Sequence, residues 1–180
     1  STFGVDDPQK EFTAVYRPFA SDLGYFRKGY FVLSQPENAD RIYFSVAHEL
    51  AHHWWNNAGQ KDAWLNESFA EYTAMMAVRE LKSADRFKAM IDKKTADNVD
   101  LPPVYGFDRR TNREQTPLVL YTKGPLKLYE LEQKIGGENF INFLRAAAKE
   151  RVAETDRLIC LLGEVISSQA ANGFLESLKN

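Results

Sequence analysis

Cysteine is almost missing from this chain of 180 residues: Cys160 is the single one, so no disulfide can form within it. A lone cysteine fits a reducing compartment, but a secreted or periplasmic protein can also lack bridges, so the compartment stays open. No apolar run reaches the roughly 20 residues that a membrane-spanning helix needs, and no signal-peptide pattern is present. An excess of charge of one sign is lacking too. Lys and Arg total 23 against 25 Asp and Glu, a net charge of −2, and the basic residues are not interleaved with aromatics. Nothing therefore points to a nucleic-acid partner. Repeats and low-complexity segments are absent. What remains is ordinary for a globular protein, with 44% apolar and 27% charged residues, enough for one domain with a core. Ser1-Thr2-Phe3 is not a natural start, so we expect a piece of a longer chain with further domains.

The residue pattern changes character along the chain. Phe12 to Phe19 and Gly29 to Ser34 carry aromatic and β-branched runs that predict strands. From about residue 38 the signal is helical. Asn38 or Asp40 can cap a helix from about 40 to 57, with Ile42, Val46 and Leu50 at helical spacing. A polar loop at Asn56 to Asp62 precedes a second helix from Trp64 to Leu81 and an amphipathic third from Ala84 to Ala96. Residues 97–117 read as loop. A helix is expected over Pro125 to Ile135, stopped by Gly136-Gly137, and two or three more over 138–178. The fold class is α+β, in one domain over 1–180 with a strand-rich part (1–37), a helix pair (38–82) and a helical lobe (83–180).

Histidine is scarce as well, and its placement is informative. All three histidines fall at positions 48, 52 and 53. His48-Glu49-Leu50-Ala51-His52 is H-E-x-x-H on the first predicted helix. Residues four apart lie about 40° apart round a helix, so two imidazoles can reach one cation. Zinc suits nitrogen and oxygen ligands in a tetrahedron, but two histidines do not close a catalytic site, which takes three protein ligands and leaves one position for water. Glu67, near the start of the second helix, is the candidate third ligand. Glu49, one position round from His48, can face the water without being a ligand. Glu71, one turn after Glu67, is placed to accept the second ring N–H of a ligand histidine. His53 points off the 48/52 face. Trp54 and Trp55 read as helix packing, Cys160 as a core thiol in an apolar helix, and Arg109, Arg110 and Arg113 as a solvated loop.

At this point the chain resembles a known family, the gluzincin aminopeptidases of the aminopeptidase N and leukotriene hydrolase type. The resemblance rests on H-E-L-A-H-H-W-W-N at 48–56, W-L-N-E-S-F-A-E-Y at 64–72 and Tyr121-Thr122-Lys123-Gly124, in the family's order. It implies a thermolysin-like catalytic domain, one zinc ion per chain on His48, His52 and Glu67, Glu49 as general base, a peptide substrate, and Tyr121 as the phenol that hydrogen-bonds the oxyanion. Some features depart from the pattern. The loop at residues 53–66 is shorter than the family's. Asn56 and Ser68 stand where glycines are usual, and Pro125 follows Gly124 directly. The family's G-x-M-E-N strand supplies a glutamate that grips the substrate's amino terminus, but no acid lies between Gly24 and Gln35. Three readings follow: an aminopeptidase-like enzyme, an endopeptidase on the same zinc chemistry, or a degenerate zinc-binding module.

Overall fold

In the computed structural model, residues 11–17, 24–27, 29–34 and 39–180 are described. β1 (Thr13–Arg17), β2 (Tyr25–Arg27) and β3 (Tyr30–Ser34) form one sheet in the order β1-β3-β2. β1 runs parallel to β3, with Val15 opposite Val32, and β2 runs antiparallel to it, with Phe26 opposite Phe31. The sequence predicts β1 and the central β3. No strand is predicted between those two runs, but Tyr25–Arg27 pairs as a short strand of its own. β3 is central, and its Phe31, Val32 and Leu33 are buried. The end of the first predicted strand, at 18–19, and the candidate cap Asn38 lie outside the described residues.

From residue 39 onward the described residues are mainly helical: α1 (Ala39–Ala51), α2 (Ala63–Leu81), α3 (Ala84–Asp97), the short α4 (Thr116–Leu118), α5 (Gly124–Ile135), α6 (Gly137–Glu150), α7 (Thr155–Val165) and α8 (Ser168–Leu178). A π-helical stretch, Val119–Lys123, joins α4 to α5. The α+β reading therefore holds, a small sheet followed by a helical lobe. α1 stops at Ala51 rather than near 57, and Asp40 lies inside it. Part of residues 97–117 is the loop expected, but helix resumes at Thr116.

α2 is the hub. It is buried on nearly every face, as a helix wrapped by others must be: Trp64, Leu65, Phe69, Ala70, Tyr72, Ala74, Met75 and Val78 are all covered. It packs against α1, α3, α5 and the π-helical stretch. Polar groups in this core are paired, as burial demands. Tyr72 donates from its hydroxyl to Glu132 of α5, and Arg79 donates to both oxygens of the same carboxylate at 2.9 and 3.1 Å. Trp64 Nε1 donates to Thr155 Oγ1 at 2.8 Å, tying the start of α2 to that of α7.

Two helix boundaries, one stop and one start, use positive-φ or extended backbone that the sequence offers. Gly136, at φ 84°, ends α5 where Gly136-Gly137 predicted it. α3 starts at the Ser83 hydroxyl, which accepts from the backbone of Asp85 and Arg86. Cys160 is exposed, not a core thiol. On α7 the buried positions are Thr155, Leu158, Ile159, Leu161 and Leu162, and at helical steps position 160 falls on the opposite, outer face.

Candidate metal centre

The last turn of α1 and the first two turns of α2 face each other across a cleft of about 540 Å³. His48, Glu49, His52, Glu67, Glu71 and Tyr121 all line it. The short loop between the helices is held by Asn66, which donates to Ala58 O at 2.9 Å and accepts from Ala58 N at 3.0 Å. Glu67 is therefore set by the residue before it.

His48 Nε2, His52 Nε2 and a carboxylate oxygen of Glu67 converge. These three residues each offer a ligand atom, and the atoms lie within 4.8 Å of one another. Glu67 Oε2 is 3.8 Å from His48 Nε2 and 3.6 Å from His52 Nε2. The far side of each ring is fixed. His48 Nδ1 lies 2.9 Å from Glu71 Oε2, and His52 Nδ1 lies 2.9 Å from the carbonyl of Trp55. Both partners accept, so each Nδ1 carries the hydrogen and each Nε2 can turn a lone pair to the centre. His52 sits just past the end of α1, in a turn, which lets its ring meet the Trp55 carbonyl.

The electrostatics favour a cation there. Burial alone would lower the His48 pKa, but hydrogen bonds to Glu67 and Glu71 outweigh it and push it up to about 9, so these surroundings favour a positive charge and a metal ion would take Nε2 by displacing its proton. Burial would likewise raise Glu67, yet His48, His52 and the Tyr121 hydroxyl hold it below the usual carboxylate range. His52 is lowered, first by burial and then by the charge of His48. Two imidazoles and a carboxylate, with hydrogen-bonded outer atoms, are a donor set that fits a divalent zinc-type ion.

Glu49 differs from its neighbours. Its side chain is buried, and among the described residues Glu49 Oε2 is the buried side-chain oxygen or nitrogen without a hydrogen-bond partner. Burial, with Glu67 adding to it against His48, raises its pKa to about 7. That is where a proton acceptor at neutral pH is most useful. Gly24 lies against it: a Cβ there would come within 2.7 Å of Glu49 Oε1 and 2.4 Å of Val32 O, so only glycine fits. Tyr121 comes from the π-helical stretch and donates from its hydroxyl to Glu67 Oε2 at 2.9 Å. Burial and the Glu67 charge push its pKa far up, so the phenol keeps its proton.

Other residues singled out from the sequence lie elsewhere. His53 meets the rings of Phe12 and Phe26, with centroids 5.5 and 6.2 Å away, rather than the three converging donors. Trp55 packs on Phe69 and donates to Thr73 Oγ1 at 3.0 Å, and Trp54 packs on the core. Arg109, Arg110 and Arg113 border a separate surface hollow with Gln60 and Thr116, and Arg110 pairs with Asp108 at 2.6 Å. Sequence reasoning missed Lys94. Its ammonium lies 2.7 Å from Glu71 Oε1 and also donates to the carbonyl of Tyr121. It also missed Arg27 and Arg41, which line the cleft.

The sequence profile of the peptidase family M1 domain matches residues 30–171. The chain belongs to peptidase family M1. Among curated relatives, a leucyl aminopeptidase of Saccharolobus solfataricus is 28% identical over 122 residues, covering 58% of this chain and 16% of the relative. The aminopeptidase N of Bos taurus is 46% identical over 43 residues, covering 22% of this chain and 4% of the relative. An aminopeptidase M1-B of Oryza sativa subsp. japonica is 39% identical over 54 residues, 28% of this chain and 6% of the relative. The chain thus spans only 4 to 16% of the length of these relatives. In fold, the M1 zinc metallopeptidase of Deinococcus radiodurans superposes with a TM-score of 0.79 at 22% identity, over 94% of this M1 chain and 39% of that protein. The M1 match includes the residues of the candidate metal centre and Tyr121, but begins at the central strand, after β2.

Proposed function

We propose that this M1 chain hydrolyses peptide bonds with a single zinc ion held by His48, His52 and Glu67, and that Glu49 is the general base. The observation that carries the reading is the convergence of three donors beside a buried carboxylate oxygen that nothing else satisfies. When bound, zinc supplies Lewis-acid polarisation of the scissile carbonyl and makes a water more acidic. Glu49 takes the proton of the attacking water and passes it to the leaving amine. Tyr121, still protonated, turns its hydroxyl from Glu67 to the oxyanion that develops on the substrate. Glu71 and the Trp55 carbonyl hold the two imidazoles in the required tautomer. No covalent intermediate on the protein is required.

The named relatives support an aminopeptidase-like activity. A second reading, an endopeptidase, is favoured by a specific feature of the cleft. Its lining includes Gly24, Tyr25, Phe26 and Arg27 of β2 and the residue before it, and none of these is a carboxylate. Among the described lining residues the acids are Glu49, Glu67 and Glu71, all at the metal centre. A substrate ammonium wants a carboxylate partner of its own. Aminoacyl fluorogenic substrates assayed beside amino-blocked peptides separate the two. Cleavage of free-amine substrates alone supports the aminopeptidase reading, and cleavage of blocked ones the endopeptidase reading. No cleavage of either by zinc-loaded full-length protein overturns the proposed activity.

A further inference from the structure

We infer that Lys94 of α3 is a positioning residue that sets the metal-facing imidazole of His48 and the phenol of Tyr121 with one ammonium group. The inference rests on the zinc-site reading above but concerns a residue that neither the M1 motifs nor the three-donor geometry includes.

α3 carries Lys88, Lys93 and Lys94, and they differ sharply. Lys88 and Lys93 have side chains 73% and 76% exposed and pair along the helix with Asp92 and Asp97. Such exposed pairs are worth little. The Lys94 side chain is only 13% exposed and reaches the other way, to Glu71 Oε1 at 2.7 Å, where Glu71 is 10% exposed. A charge taken out of water needs several good partners, and Lys94 has two with distinct jobs.

The first partner is the carboxylate behind His48. Glu71 uses Oε2 for His48 Nδ1 and Oε1 for Lys94. With one oxygen fixed by the ammonium, the other stays aimed at the imidazole. The Nε2 direction is thereby set through a chain of three residues, Lys94, Glu71 and His48.

The second partner is the main-chain carbonyl of Tyr121. In a regular helix that carbonyl would accept from the N–H four residues on, which belongs to Pro125, and proline has none. The adjacent carbonyl, Leu120 O, loses its usual donor as well, because Gly124 N donates to Val119 O in the π-helical pattern. Side chains from neighbouring helices step in. Ser68 Oγ donates to Leu120 O at 2.7 Å, and Lys94 Nζ donates to Tyr121 O. The irregular turn that presents the Tyr121 hydroxyl to Glu67 is thus held from behind by Lys94.

The test is Lys94→Met in zinc-loaded full-length protein, with Lys94→Arg as the conservative control. Zinc affinity, from competition with a chelator, should fall about 10–100-fold, the range seen when a group behind a metal ligand is removed. The visible absorption of the cobalt-substituted protein should change, because the His48 ring reorients. At saturating zinc, kcat should still fall about 10-fold or more with KM changed little, reflecting Tyr121. Lys94→Arg should restore both affinity and kcat to within a few-fold. A lower melting temperature with unchanged zinc affinity and an unchanged cobalt spectrum would mean that Lys94 only staples α3 to its neighbours, and would overturn the inference. If Lys94→Met does not fold, Lys94→Gln, too short to reach both acceptors, carries the same expected and contradicting results. Affinity and spectrum are read without substrate. A protein that binds zinc but cleaves no peptide would therefore refute the proposed activity and still decide this inference.

Discussion

Glu49 and Tyr121 line the same cleft as Glu67, and their different states divide the proposed chemistry between them. Glu49, raised to about 7 by burial, can take a proton near neutrality and give it back. Tyr121, pushed up by burial beside Glu67, keeps its proton and can donate a hydrogen bond. Glu49→Gln should therefore keep zinc at wild-type stoichiometry while turnover falls by several orders of magnitude; a variant with parental kcat would remove Glu49 from the mechanism. Tyr121→Phe should lower kcat about 10²-fold, the cost of one lost oxyanion donor, and a silent substitution would show that its hydroxyl serves Glu67 alone. At this scale much was legible from the sequence. Histidines so few and so closely spaced, followed by Asn66-Glu67, pointed to His48, His52 and Glu67. Tyr121 became visible only through the family resemblance, since a tyrosine has no spacing rule of its own. Lys94 was hidden because nothing in a run of lysines says which one turns inward.

Among the elements, the turn from α4 through the π-helical stretch into α5 decides where Tyr121 stands. Pro125 was read as a first-turn helix residue, and it is one, in α5 from Gly124. What the pattern did not show is that helix continues upstream of it, because a π-helical turn needs side chains from α2 and α3 to satisfy its freed carbonyls. Ser68, which stands where the family has glycine, is one of them. Its hydroxyl also fills the space beside Gly124, where an added Cβ would meet Ser68 Oγ at 2.0 Å. Gly124→Ala should thus cost about 1–3 kcal/mol by overpacking, read as a melting temperature several degrees lower, with kcat lowered as Tyr121 shifts. Ser68→Gly added to it should recover stability by opening the space; no recovery would place the strain elsewhere. The overlong reading of α1 has a similar cause. Apolar and aromatic residues continue past Ala51, but Trp55 leaves the helix to pack on Phe69, and its carbonyl takes up His52.

For the molecule as a whole, the order of a small sheet and then helices was readable from the switch in residue pattern, and the helical lobe followed from amphipathic spacing. The pairing of β2 with β3 was not, because three residues leave too little pattern and the partner is set by tertiary packing. In the proposed site the metal would also be a structural element. Its three donors come from α1, the turn after it and α2, so an ion that binds only the folded chain should stabilise it by mass action, about 4 kcal/mol at a thousandfold excess over Kd. Chelation should lower the melting temperature and zinc should restore it, as calorimetry can check. The central claim is tested most directly by anomalous diffraction at the zinc absorption edge from crystals of the zinc-loaded protein. The account predicts one strong peak per chain, at about 2.0–2.2 Å from His48 Nε2, His52 Nε2 and a Glu67 oxygen. A peak at any other site, or zinc coordinated without Glu67, would contradict it.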